Sequence, residues 1–285
     1  MRNRIPGKTF LVGEYSVLLN GAALGLATQP CFEIVDEKEE ATEIHPHSPA
    51  GRYLTLDPSV KKKSVRLKDP YLAMGVRGGF GRSTAEFFSV LDEATLLKPF
   101  TDIREIYLDL HRQEKILPSG ADLAFQYFGG VCLADLKNKN YRTLSWPFAN
   151  LHFFILATGL KIATYEHLAE INLANLAHLP RVSDLVIKSF IEQKQDSFIL
   201  GLRDWTQELA AAGLTHSHSA ELRATLESVD GVLAAKPCGA LGADVILVFC
   251  QTEHSKNIRN KMQNLKLQIV AEVDDLYEGF GPNVG

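Results

Sequence analysis

Between Gly78 and Glu86 the chain reads Gly-Gly-Phe-Gly-Arg-Ser-Thr-Ala-Glu, three glycines in four positions followed at once by a helix start. This stretch limits the fold more than any other. Glycine backbone can bend so that successive N–H groups point the same way. A helix that follows adds its unpaired N–H groups and the positive end of its dipole. The combination is an anion site, most often for phosphate. Read alone, the same residues also make a tight turn before a capped helix, and a short Gly-rich loop does not decide between the two.

Two further segments bear on that choice. Residues 6–18 read Pro-Gly-Lys-Thr-Phe-Leu-Val-Gly-Glu-Tyr-Ser-Val-Leu. The apolar run Thr9 to Val12, bounded by glycines, predicts a buried strand bracketed by Lys8 and Glu14, with Tyr15 just beyond. Residues 118–124 read Pro-Ser-Gly-Ala-Asp-Leu-Ala and precede a Gly129-Gly130 pair. They predict a turn, a helix from about Ser119 and a strand after the double glycine. An acidic residue at a helix start suits the dipole without any function, so Asp122 alone is ambiguous.

The other elements follow in order. Strands are expected at 24–28 and 31–35, and a polar stretch at 36–70 that holds the charge runs 37–40 and 61–63. Helices are expected at 83–97 and 101–115, the second with Glu114 near its end. After a boundary at 138–150 come a strand at 151–157, a Thr158-Gly159 turn, and a helix from Thr164 that Pro180 stops. Helices at 183–195, 197–213 and 217–229 precede a strand at 232–235. A Gly-containing loop, Lys236 to Asp244, a strand at 245–250, a helix at 253–265 and a strand at 267–273 complete the chain. This mixture predicts an α+β fold. His45 and His47, flanked by prolines, read as loop residues, and His216 and His218 as residues of a helix cap.

Net charge of −4 gives no reason to expect nucleic acid or an anionic membrane as partner. No apolar run is long enough to span a bilayer, and no apolar leader core follows Arg2 and Arg4. Four scattered cysteines without a Cys-x-x-Cys pair suit reduced thiols and a cytoplasmic protein.

Taken together and in order, four blocks resemble the GHMP kinases, the superfamily of galactokinase, homoserine kinase, mevalonate kinase and phosphomevalonate kinase. They are Pro6-Gly7-Lys8 through Gly13-Glu14-Tyr15, Gly79 to Ala85, Pro118 to Asp122 with Gly129-Gly130 behind it, and Lys236 to Asp244. The resemblance implies a two-domain fold, with a mixed-sheet nucleotide domain at 1–147 and a ferredoxin-like α/β domain at 148–285. It implies ATP and Mg²⁺ as cofactors and a small-molecule acceptor, in a monomer or homodimer. By position, Gly78, Gly79, Gly81, Arg82, Ser83 and Thr84 would hold the ATP phosphates, and Ser83 and Glu114 would hold magnesium. Asp122 would be the base and Lys8 the lysine beside it. Glu14, Tyr15, Thr164, Gly239 and Ala240 would face the acceptor. The loop is not a Walker A motif, whose Gly-Lys-[Ser/Thr] end is absent.

The match departs in three places. Arg82 stands where the family has serine, either as an added cation against phosphate or pointing outward. Leu241 and Ala243 stand where the family often has glycine, which brings strain if either requires positive φ. The resemblance points to mevalonate or phosphomevalonate as acceptor, and a phosphorylated acceptor would need cations such as Arg77, Arg82 or Lys161. The alternatives are a kinase for another alcohol or sugar, and a binding or regulatory protein that kept the fold and lost catalysis.

Overall fold

The computed structural model describes residues 3–35, 44–56, 66–76, 78–160 and 171–282. Its first sheet is built on two long antiparallel strands, β1 (Arg4–Val12) and β2 (Ala22–Val35). The sequence splits β2 at Gln29-Pro30. The observed strand runs through, because the register shifts between Pro6 and Gly7 and leaves Gln29 and Pro30 outside the pairing. β3 (Arg66–Lys68) and β4 (Val131–Asp135) also pair with β2, and β5 (Asn140–Leu144) forms a hairpin with β4. The helices of this half are α1 (Pro49–Leu56), α2 (Pro70–Ala73), α3 (Arg82–Val90), α4 (Glu93–Leu96), α5 (Phe100–Asp109) and α6 (Ala121–Phe128).

The second sheet is antiparallel throughout and formed by β6 (Leu151–Ala157), β7 (Val232–Cys238), β8 (Val245–Gln251) and β9 (Gln268–Glu272), in the order β7-β8-β6-β9. Between β6 and β7 lie α7 (Leu179–Ile191), α8 (Gln195–Ala211) and α9 (Ser217–Glu227); α10 (Ser255–Asn264) joins β8 to β9. This strand order with helical crossovers is the ferredoxin-like arrangement, so the fold is α+β. Large buried side chains, among them Phe87, Phe125, Phe198 and Trp205, belong to one continuous core that reaches both sheets. The chain then returns to the first sheet: Leu276 bridges to Thr28, Glu278 to Gly129, and Phe280 packs 5.4 Å from the Phe88 ring.

Several sequence expectations change on inspection of the fold. The helix expected at 83–97 breaks after Val90, where Asp92 takes an extended conformation and caps α4 through Thr95 N at 2.7 Å. The helix expected to reach 115 ends at Asp109, so Glu114 lies on the turns beyond it. Pro180 does not stop a helix; it sits in the first turn of α7, where its missing N–H costs nothing. The polar stretches hide α1 and β3, whose partners are distant in sequence, and β5, which pairs with the neighbouring β4. Thr164, Arg77, Lys161 and both charge runs lie outside the described residues. Cys31, Cys132, Cys238 and Cys250 are buried free thiols. No helix among the described residues is long and apolar enough to cross a membrane.

Candidate active site

Lys8 lies mid-way along β1, and its backbone N–H donates to Phe80 O at 3.0 Å, which ties the strand to the glycine loop. Its Nζ reaches Asp122 Oδ2 at 3.1 Å. Asp122 occupies the first turn of α6, directly after the Pro118-Ser119-Gly120 turn. Two contacts hold that turn. Ser119 Oγ accepts from Ala121 N at 3.2 Å, and Arg104 donates twice to Ser119 O at 2.8 and 2.6 Å. Gly120 takes φ +74°, in the left-handed region that favours glycine. Asp122 Oδ1 is buried and has no hydrogen-bond partner among the described residues. An orphaned acceptor of this kind costs free energy unless a ligand donates to it.

The glycine loop closes over this pair. Gly81 is at φ +78°, and a Cβ there would stand 2.7 Å from Lys8 Cγ. Gly79 is at φ +92°, and a Cβ there would stand 2.9 Å from Asp244 Cβ. α3 then begins with Arg82. Ser83 is exposed on the cleft wall, whereas the Thr84 side chain is buried and donates to Gln126 Oε1 at 2.5 Å. The Thr84 hydroxyl is thus turned inward, away from the cleft that Ser83 borders. Gln126 in turn donates to Pro6 O at 2.9 Å, so β1, the loop and α6 share one network.

Arg82 resolves one open question. It neither points outward nor stands free: Nε donates to Glu86 Oε1 at 2.9 Å, and Nη1 lies 3.8 Å from Asp69 Oδ2. Burial pushes both carboxyls above the usual range, against the pull of Arg82 and, for Asp69, of the Tyr71 and Leu72 amides. A cation at a helix start is unfavourable to the dipole, and these two carboxylates offset that cost.

Two clefts meet at the Lys8–Asp122 pair. The larger, about 410 Å³, has the loop from Gly78 to Ser83 on one side and the apolar side chains of Phe32, Tyr71, Leu72 and Val76 on another. The smaller, about 170 Å³, is bounded by Glu14, Tyr15, Gly239 and Ala240. Lys8, Asp122 and Asp244 border both. Asp244 was not singled out from the sequence, where it is only the last residue of the fourth block. Thr158 places it: the hydroxyl binds Ala243 O and Asp244 O, and the Thr158 N–H donates to Asp244 O at 3.3 Å.

Glu14 lines the smaller cleft with both oxygens engaged, Oε1 by the Lys236 ammonium and Oε2 by Trp205 Nε1 at 3.2 Å. Tyr15 Oη accepts from Leu241 N at 3.2 Å, and burial pushes its phenol well above the ordinary value. Leu241 is at φ 51°, so this departure from glycine does carry left-handed strain, while Ala243 at φ −86° carries none. Glu114 borders neither cleft and pairs with Arg52 at 2.9 Å. No group of three His, Cys, Asp or Glu among the described residues is arranged to hold a metal ion. A magnesium nucleotide does not require one, because Mg²⁺ keeps waters and takes most of its other ligands from phosphate. Ser83 stands exposed at the glycine loop on the wall of the larger cleft, and the Glu114 carboxylate is engaged by Arg52.

Searches with the sequence found no matching family model and no matching curated protein. The fold does match solved structures. A Lin0012 protein from Listeria innocua aligns at TM-score 0.73 and 16% identity, over 94% of this chain and 96% of that one. Phosphomevalonate kinase of Streptococcus pneumoniae, in complex with phosphomevalonate and AMPPNP, aligns at 0.70 and 14%, over 94% and 98%. Mevalonate kinase of Methanococcus jannaschii aligns at 0.67 and 14%, over 96% and 98%. With near-complete coverage of both partners in each alignment, the chain has the fold of the GHMP kinases.

Proposed function

We propose that this chain is an ATP-dependent small-molecule kinase with an alcohol or a phosphate group as acceptor, mevalonate and phosphomevalonate being the first acceptors to test. The observation that carries the reading is the Lys8–Asp122 pair on the wall common to both clefts, with Asp122 Oδ1 buried and unpartnered. A nucleotide in the larger cleft would lay its phosphates on the loop amides and its base against the apolar wall. An alcohol acceptor in the smaller cleft would bring its hydroxyl to Asp122. Asp122 takes the hydroxyl proton as the oxygen bonds to the γ-phosphorus and the bond from that phosphorus to the β–γ bridging oxygen breaks. Lys8 holds Asp122 in place through Oδ2 and offsets negative charge on the entering oxygen. Mg²⁺, held with the nucleotide beside Ser83, would supply charge neutralisation for the phosphates. Residues 1–147 and 148–285 are the two domains of this reading, with the clefts where they meet.

The test is ATP consumption with each acceptor by the unaltered protein and by Asp122→Asn. Loss of the base should lower kcat by about 10²–10⁴-fold while Mg·ATP affinity stays within a few-fold. An Asn variant within tenfold of the parent would remove Asp122 from the chemistry.

A further inference from the structure

One wall of the larger cleft is built on α2, a single turn of four residues that contributes Tyr71 and Leu72. A helix that short does not hold by itself. It is held from outside. Asp69 caps it, Oδ1 accepting from Tyr71 N at 2.9 Å and from Leu72 N at 3.3 Å. The Tyr71 ring stacks on Phe80 of the glycine loop, with centroids 4.1 Å apart and an interplanar angle of 3°. The Tyr71 hydroxyl donates to Pro30 O at 2.5 Å. The cap in turn depends on charge. The Asp69 side chain is only 5% exposed, and burial raises its carboxyl while the two amides and Arg82 pull the other way. Arg82 Nη1 stands 3.8 Å from Oδ2, the oxygen that the Tyr71 and Leu72 amides do not use. Glu86, one turn along α3, fixes the guanidinium through Nε at 2.9 Å.

A relay thus runs from the helix after the glycine loop, through Glu86, Arg82 and Asp69, to the amides of α2. Serine, the residue of the resembled family at this position, is too short to make the link. To grip a phosphate instead, the guanidinium would have to leave two carboxylates that are nearly buried, and each would lose a compensating charge. Resting on the kinase reading above, we infer that Arg82 is a positioning residue for the nucleotide: through Asp69 it fixes α2 as the wall against which the base lies, and it does not act by gripping phosphate. The departure from the family at this position then strengthens the base side of the cleft, and the loop amides remain the phosphate side.

A fluorescent ATP analogue with Mg²⁺, titrated into the full chain, tests this by a double-variant cycle. Arg82→Gln keeps most of the stem and removes the charge. Asp69→Asn keeps a side chain that caps helices, so it breaks the ion pair and spares the cap. Each should raise Kd about fivefold or more, and the double variant should stay within about twofold of the weaker-binding single one. Hydrogen exchange without nucleotide should quicken about fivefold or more over residues 71–76 in both single variants. It should stay unchanged over α6, which a general loosening of the fold would not spare. Asp69→Asn binding the analogue as tightly as the parent, or more tightly, would mean that Arg82 works on phosphate directly and would overturn the inference. So would additive losses in the double variant, an unchanged Kd for Arg82→Gln, or unchanged exchange over 71–76. If the parent itself does not bind the analogue, the kinase reading falls, and this inference with it.

Discussion

Replacing Lys236 by methionine should destabilise the protein by roughly 3–5 kcal/mol, the usual penalty for leaving one member of a buried ion pair unpaired. The structure sets that magnitude. The Lys236 side chain is 0% exposed and that of Glu14 only 10%. Methionine replaces most of the lysine stem, so little of the loss comes from a cavity. What remains is a buried Glu14 carboxylate whose one described partner is Trp205 Nε1 at 3.2 Å. Burial pulls Lys236 down, but the Cys238 sulfur and the Glu14 carboxylate outweigh it and the net shift is upward. Cys238, itself pushed up to about 11 mainly by burial, is a neutral thiol at pH 7, so Glu14 supplies the stabilising charge. A raised lysine contributes stability that is fully present below its ordinary value of 10.5 and lost as pH rises through the folded value. The penalty should therefore be constant through the neutral range. Urea unfolding followed by tryptophan fluorescence measures it, since Trp205 sits on the pair. Glu14→Gln/Lys236→Met removes both charges and should recover more than half of the loss. A single-variant cost below about 1 kcal/mol, or a double variant no better than the single one, would refute the reasoning.

Gly81→Ala should cost about 1–2 kcal/mol of backbone strain and also push the Lys8 stem aside, lowering kcat at least tenfold. Gly213→Ala, at φ +73° with nothing within 4 Å of the added Cβ, is the control that should show the strain without the kinetic loss. Leu241→Gly should be neutral or slightly stabilising, because relief of left-handed strain offsets the added freedom of the unfolded chain. Leu241→Val should destabilise by about 1–2 kcal/mol, and the reverse order in thermal melts would count against strain at this site. Burial raises the folded Glu86 carboxyl above 4.5, so the folded state keeps that proton after the unfolded chain has lost it. Stability should then fall as pH rises from the ordinary carboxylate value through the raised one. Glu86→Gln should flatten part of that slope in urea midpoints from about pH 4 to 7, with Asp69, raised in the same direction, supplying the rest.

The order of the four blocks and the backbone each requires were legible because they depend on neighbours a few residues away. Gly79, Gly81 and Gly120 adopt the left-handed conformations that only glycine takes without strain, just where the sequence placed turns ahead of helices. Asp122 falls in the first turn of its helix because the Pro-Ser-Gly turn ends there. Element boundaries were less legible: periodicity continued past Asp109 and Val90, but the helices did not, and Pro180 reads alike whether it opens a helix or closes one.

The sequence by itself determined where the chain turns, which segments bury, and which residue types stand at the turns. Only the tertiary structure decided what those residues face. Glu14 meets Lys236 across 222 positions, Lys8 meets Asp122, and Arg82 is held by Asp69 as well as by its helical neighbour Glu86. The same folding put Asp244 on the border of both clefts and left Glu114 outside them. The reason is physical: a turn's φ and ψ follow from sterics within a few bonds, whereas the partner of a charge depends on how distant strands and helices pack. That packing settles only when the core around Phe125, Phe198 and Trp205 is formed.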